Sequence, residues 1–396
     1  MIFTRRQRLL AYALGGVGPG SNAMILFLVP LRAVELDVGL GTIGLLLGVK
    51  ALVETFLAVP LGTFIDRVGA KRAYLIGSVG MALAGAGFMV ASSVVALFAL
   101  QVMLGATRPL AWVGGQSYVS SMRSGAERSY DTGRFSFAAN TGQIITPLLA
   151  GLGVQFLGAR LAFLVLAIYG IVFFLTAVTL PDVGRSSAGS QAEGAGFGRA
   201  VRLLRIPDMQ VVMLLTFTRL WLPSVWSAFL PLYLVTTGTS AGVAGTAASS
   251  MAVAASVTSL LTGRIATLGR PSVLTAVALG IACLGVAITP MATGIPTVFL
   301  PAAMLGFGQG LSLPLLLVLV SAAAPEGQRS LALGLRAGVN QAAATAAPVL
   351  IAPIITIAGV AAGFALAGGV GAASLVAAML IDRTMRRARV ASGHLE

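Results

Sequence analysis

The sequence predicts an all-α integral membrane protein, with twelve transmembrane helices in two pseudo-symmetric six-helix bundles. Three observations lead there. The chain is 57% hydrophobic and 10% charged, with a mean hydropathy of +0.95, and apolar runs of about 20 residues, each long enough to cross a hydrocarbon core of roughly 30 Å, fill it from end to end. The chain also repeats itself at a separation of about 201 residues: Arg128-Ser129, Gly133 and Pro147 recur as Arg329-Ser330, Gly334 and Pro348, while Pro30, Gly44, Gly62 and Gly105 recur as Pro231, Gly245, Gly263 and Gly306. Finally, the basic residues gather in alternate loops. Tandem halves in so apolar a chain point to a transporter, because two similar bundles can rock about a site at the bilayer midplane.

Breaks at charges, glycines and prolines place the spans near 9–34, 41–65, 73–91, 95–121, 132–156 and 160–180 in the first half, and 209–235, 241–266, 272–291, 296–322, 331–355 and 359–381 in the second. This divides the chain into a first bundle (1–180), a linker (181–207) and a second bundle with a basic tail (208–396). In the linker, Phe197, Ala200, Val201 and Leu204 form an apolar stripe opposite Arg199, Arg202 and Arg205, as an interfacial helix would. The net charge of +14 records topology. Arg5, Arg6, Arg8; Arg67, Lys71, Arg72; Arg123, Arg128; Arg185 and the linker arginines; Arg264, Arg270; Arg329; and Arg383, Arg386, Arg387, Arg389 fall in alternate loops, and the others hold little beyond Arg32 and Arg160. The positive-inside rule then puts both termini and the linker in the cytoplasm of a bacterial-type inner membrane.

Several classes are disfavoured. No basic soluble domain exists to hold nucleic acid. Arg5-Arg6-Gln7-Arg8 before an apolar run resembles a signal peptide or twin-arginine signal, but a first span is the expectation, because the run continues past 20 residues and has a counterpart in span 7. A single cysteine, Cys283, and a single histidine, His394, give neither a disulfide framework, nor the usual metal ligands, nor a catalytic couple, so neither cofactor nor metal nor enzymatic activity is expected.

After span 2 the chain reads Gly62-Thr63-Phe64-Ile65-Asp66-Arg67-Val68-Gly69-Ala70-Lys71-Arg72. This resembles the G-x-x-x-D-R-x-G-x-K/R-R signature of the major facilitator superfamily, in the loop where that family carries it. The resemblance implies a cytoplasmic gate of Gly62, Asp66, Arg67, Gly69, Lys71 and Arg72, with the acid docking on span 11 in the outward-facing state. On physical grounds Gly62 permits close helix packing, Gly69 a tight turn, and Lys71 and Arg72 anchorage to anionic head groups. Asp131 and Arg134 are assigned to the same gate. The second half keeps Gly263, Arg264, Gly269 and Arg270 without an acid. In span 5, Gly133, Gly142, Thr146-Pro147 and Ala150-Gly151 resemble the antiporter motif G-x8-G-x3-G-P-x2-G-G of the family's exporters, with Thr146 and Ala150 in place of two glycines.

Charges at the estimated midplane cost about 3 kcal/mol each on insertion scales, so Lys50, Glu54, Arg108 and Arg219 must pair or face water. Lys50 and Glu54, four apart, share a helical face and can neutralise each other. Glu54 is the one acid placed at the bilayer centre, so for a proton-coupled transporter it is the carrier of choice, with Lys50 or Arg108 as partner. Arg108, Trp112 and Gln116 make one stripe on span 4, and Arg219, Trp226 and Tyr233 one on span 7; each aromatic is as apt for packing as for ligand contact, and the arginines are the better candidates. The resemblance implies that spans 1, 4, 7 and 10 line a central cavity, to which Asn22 and Gln309 belong. Span 11 adds Arg336, Asn340 and Gln341. Gln101 stands where exporters of this family carry a motif arginine. The balance of Lys50, Arg108 and Arg219 against Glu54 favours an organic anion, a zwitterion or an amphiphile over a lipophilic cation. The expected function is proton-coupled export of a small drug-like or siderophore-like compound by a monomer embedded in the lipid bilayer. Uptake of an organic anion and a non-transporting membrane receptor are the alternatives.

Overall fold

A computed structural model describes residues 3–122, 126–182, 202–292, 295–325 and 328–391. Among these residues helices joined by short turns make up almost the whole chain and no strand occurs. Ten continuous helices among the described residues are long and apolar enough to cross a membrane, and two of them, Ala126–Val178 and Arg329–Ala391, are long enough to do so twice. Each of these breaks at a single glycine, Gly158 (φ 80°, ψ 162°) or Gly359 (φ 84°, ψ 166°). That region of backbone space is open to glycine almost alone. Counting across the breaks gives twelve spans: α1 Arg5–Glu35, α2 Leu40–Val68, α3 Ala70–Val90, α4 Val94–Met122, α5 126–157, α6 159–178, α7 Pro207–Thr236, α8 Ala241–Ile265, α9 Pro271–Ile288, α10 Ile295–Ala323, α11 329–358 and α12 360–391. The linker stripe of Phe197, Ala200 and Val201, with Arg123, Arg185 and Arg199, lies outside the described residues.

Local chemistry sets the ends. Thr4 and Gln7 form a reciprocal capping box that starts α1, the Thr4 hydroxyl accepting from the Gln7 amide at 3.2 Å and the Gln7 side chain from the Thr4 amide at 3.0 Å. Pro271 opens α9 at the first helical position, where no backbone N–H is needed. Gly69 joins α2 to α3 at φ 91°, a conformation closed to residues with a Cβ, which is the physical reason for the motif's second glycine.

The repeat is written into the backbone. Positive φ angles fall at Asp37 and Gly238, and again at Gly158 and Gly359, each pair separated by the same interval as the sequence repeat. Helix crossings repeat too. A Cβ on Gly105 of α4 would meet Val53 at 2.7 Å and the Lys50 carbonyl at 2.8 Å on α2, and one on Gly306 of α10 would meet the equivalent Met251 carbonyl and Ala254 on α8. Small apolar cores follow the same register. Leu110 packs with Ile65 and Ala73 in the first half, and its equivalent Leu311 packs with Ala278 and Leu315 in the second.

Two compact units result, one of Met1–Gln191 with Ser227–Ser249 and the other of Ala192–Trp226 with Ser250–Glu396. Within the first, Gly142 of α5 lies against α1, where an added Cβ would stand 2.6 Å from the Gly16 carbonyl, and Gly151 lies against Ala241 and Gly245 of α8. Large side chains such as Leu260 and Ile357 are 86% and 85% exposed. An outer surface so apolar suits lipid rather than water.

Candidate functional site

Three helices of the first unit converge on one buried carboxylate. Glu54 of α2 is 9% exposed and Lys50, one turn earlier, 4%. The Lys50 Nζ donates to Glu54 Oε1 at 3.0 Å and to Asn22 Oδ1 of α1 at 2.8 Å. Arg108 of α4 approaches the same carboxylate as a fork, Nε to Oε1 at 2.8 Å and Nη2 to Oε2 at 2.7 Å, and its Nη1 donates to the Gly18 carbonyl of α1 at 3.3 Å. Two cations thus share one anion, and the cluster carries a net charge of +1 when all three ionise. Pairing of this kind offsets the cost of placing charges in an apolar bundle. The sequence brought Lys50 to Glu54 by helical spacing; Arg108 and Asn22 join through the crossings of α4 and α1.

The second unit holds a different arrangement. Gln309 of α10, the repeat equivalent of Arg108, donates to the Arg219 carbonyl at 2.6 Å, as Arg108 does to Gly18, the repeat equivalent of Arg219. Met251 and Ala255 stand where the first half has Lys50 and Glu54. No carboxylate pairs with Arg219 or Arg336 among the described residues. Arg219 Nε, Arg336 Nε and Nη1, and Asn340 Oδ1 are all buried without a hydrogen-bond partner there, and the two guanidinium groups lie close enough to repel each other. The three guanidinium nitrogens are unpaired donors of one sign and the Asn340 oxygen an unpaired acceptor, and each costs free energy until a partner arrives. Gln341 is half-buried on the next position of α11.

Other sequence-selected residues serve elsewhere. Trp226 is fully buried, with its indole N–H donating to Thr289 at 3.2 Å, so its face of α7 packs into the bundle. Tyr233 is half-buried. Trp112 packs on Phe135 with ring centroids 5.4 Å apart, and Gln116 is exposed. Gln101 is buried and donates to the Leu46 carbonyl at 3.0 Å, a helix tie that needs no arginine. In the loop motif, Asp66 and Arg67 are exposed. Lys71 turns away from the head-group position expected of it and donates to the Val178 and Leu180 carbonyls at the end of α6, whereas Arg72 is exposed. Among the described residues no atom lies within 4 Å of a Cβ built on Gly62 or Gly133, so neither glycine marks a close helix contact there, unlike Gly142 and Gly151. Pro147 lies inside α5, and its carbonyl faces Gly245.

Asp131 and Arg134 at the start of α5 meet a residue that sequence reading passed over. Tyr12 of α1 donates its hydroxyl to Asp131 Oδ1 at 2.5 Å, and the Arg134 guanidinium lies 5.5 Å from the centre of the Tyr12 ring. An aromatic with a polar tip, one turn beyond a run of arginines, was the available signal.

Comparison with known proteins decides what this scaffold is. The family model described as Major Facilitator Superfamily matches residues 12–240 and 212–395. The chain belongs to the major facilitator superfamily. It is a multi-pass membrane protein of a transporter family rather than an enzyme family. A probable vesicular acetylcholine transporter-B of Danio rerio is 33% identical over 126 residues, a match taking in 32% of this chain and 26% of that protein, so the chain spans about a quarter of the relative's length. Among solved structures, the nucleoside transporter NupG superposes with a TM-score of 0.79 at 15% identity, over 95% of this chain and 98% of that one. A bacterial homologue of the human lysosomal transporter Spinster, in an inward-facing and unoccupied conformation, gives 0.71 at 16% identity over 96% of each. At these identities the structures establish a shared fold.

Proposed function

We propose that this superfamily member exports a small organic compound bearing carboxylate or other acceptor groups, in exchange for protons, by alternating access in an inner membrane with both termini cytoplasmic. The single observation carrying the substrate class is the set of unpaired guanidinium donors, Arg219 Nε with Arg336 Nε and Nη1. Two neighbouring guanidinium groups without a carboxylate among the described residues offer the charge-assisted donors that carboxylates and phosphates accept. In these two clusters Lys50, Arg108, Arg219 and Arg336 stand against Glu54, so a cation of the kind named for the Danio relative is a poor fit.

Proton coupling is assigned to Glu54 with Lys50 and Arg108. A proton on Glu54 would leave two cations facing each other, and the cluster could then relax only by admitting water, a substrate anion or a new partner. Export as the direction rests on the exporter-like run of Gly142, Pro147 and Gly151 in α5.

Vesicles containing the purified protein, preloaded with candidate organic acids and given an imposed pH gradient, test the reading. The wild type should move an acid against its gradient, Glu54→Gln should lose the pH dependence, and Arg219→Gln should lose transport. Gradient-driven flux in the same direction as the proton would replace export by uptake of an organic anion, a reading that the positive charge balance also accommodates. Equal transport by wild type and Arg219→Gln would remove the anion site.

A further inference from the structure

We propose that the first unit carries a built site for an anionic phospholipid, in a groove whose floor is α1 and whose walls are α5 and α6. The groove has a volume of about 860 Å³ and begins among Arg5, Arg8 and Arg134. It is separate from the Lys50–Glu54–Arg108 cluster, none of whose residues lines it.

The stripe that α1 lays along the floor explains the cavity. Arg5, Arg8, Leu9, Tyr12, Ala13 and Gly16 follow at helical spacing on one face, changing from basic to apolar to small. The small end leaves the hollow. Gly16 is held there by α6, its carbonyl accepting from the Tyr169 hydroxyl at 2.7 Å, and Ala13 stays exposed within an otherwise buried stretch. Phe137 and Ile145 of α5, 74% and 45% exposed, form one wall, and Phe173 contributes to the other.

Charge and length together select the occupant. No carboxylate lines the groove, and Arg5 and Arg8 make no ion pair among the described residues, so the basic end offers two guanidinium groups to a phosphate. From Arg134 to Thr146 the apolar wall rises about 18 Å along α5 at ~1.5 Å per residue. That is close to one leaflet's share of a hydrocarbon core roughly 30 Å thick. A soluble anion would fill only the basic end, whereas a phospholipid of the leaflet at the N-terminal end of α1 fills both, its phosphate on Arg5 and Arg8 and an acyl chain against Phe137 and Ile145.

The full-length protein, reconstituted in mixed phosphatidylcholine and phosphatidylglycerol vesicles and re-extracted, should retain phosphatidylglycerol several-fold above its share of the vesicle, measured by mass spectrometry of co-purified lipid. R5Q/R8Q should abolish the enrichment, and R5K/R8K, which keeps the charge, should preserve most of it. A13W, with the arginines intact and the hollow filled, should also lose it; Ala13 is exposed, so the larger ring needs no rearrangement of the bundle. Arg6 is exposed and does not line the groove, so R6Q should behave as wild type. Equal enrichment in wild type, R5Q/R8Q and A13W would overturn the site. So would equal loss in R6Q, which would mark a diffuse surface charge, or displacement of the lipid by inorganic phosphate, which would mark a free anion as the ligand.

Discussion

Both oxygens of Glu54 are engaged by cations, and its removal therefore leaves Lys50 and Arg108 buried and opposed. Breaking a buried pair in this way costs about 3–5 kcal/mol. Glu54→Ala should accordingly lower the thermal midpoint in detergent far more than an average core change, with Glu54→Gln intermediate, because the amide keeps an acceptor for Arg108. Arg219 predicts the reverse. Its guanidinium already lacks a full set of partners, and Arg336 repels it, so Arg219→Met should leave the midpoint at or above that of wild type while transport fails. Thermal unfolding and vesicle transport measured on the same preparations separate the two cases. Stability lost with Glu54→Ala reports the two cations left opposed, whereas transport lost with stability spared marks Arg219 as a group that meets the substrate.

Helix ends account for basic residues whose role charge counting alone leaves unexplained. The last carbonyls of a helix lack N–H partners and carry the negative end of its dipole. Arg32 and Arg160, the exceptions to the loop rule, donate at 2.7 Å to the Ala91 and Met89 carbonyls where α3 ends, and Arg32 also pairs with Glu35, whose other oxygen accepts from the Ala159 amide after the Gly158 break. Lys71 does the same for α6, and Arg270 ties α9 to Asp382 of α12 at 3.2 Å. Lys71→Met should therefore cost about 1 kcal/mol and loosen the end of α6, read as faster hydrogen exchange there. Gly158→Ala and Gly359→Ala meet no steric neighbour, yet each should cost about 1–3 kcal/mol in backbone strain alone. The spans themselves were legible, because hydropathy and positive charge act locally along the chain. The caps were not, since Lys71 and its acceptor on Val178 lie 107 residues apart and no local pattern joins them. The α7 stripe misled for a related reason. A helix buried on several sides presents Trp226 to neighbours rather than to a cavity.

Across the whole molecule, the repeat separates what the fold requires from what the function added. Breaks at Gly158 and Gly359, crossings at Gly105 and Gly306, and the donations of Arg108 to Gly18 and Gln309 to Arg219 show one backbone plan used twice. The charges do not follow the plan. Where the first half holds Lys50, Glu54 and Arg108, the second manages the same crossing with Met251, Ala255 and Gln309. An ion cluster that the second half does without is therefore not a condition of helix packing, and well-packed apolar replacements of buried ion pairs are often neutral or stabilising, by about 1–4 kcal/mol. The triple change K50M/E54A/R108Q, which writes the second half's residues into the first, should thus unfold no more readily than wild type and should be more stable than Glu54→Ala alone. Its pH-dependent transport should vanish. A triple variant as unstable as Glu54→Ala would instead make the cluster structural, and the proton would have to be sought at another residue.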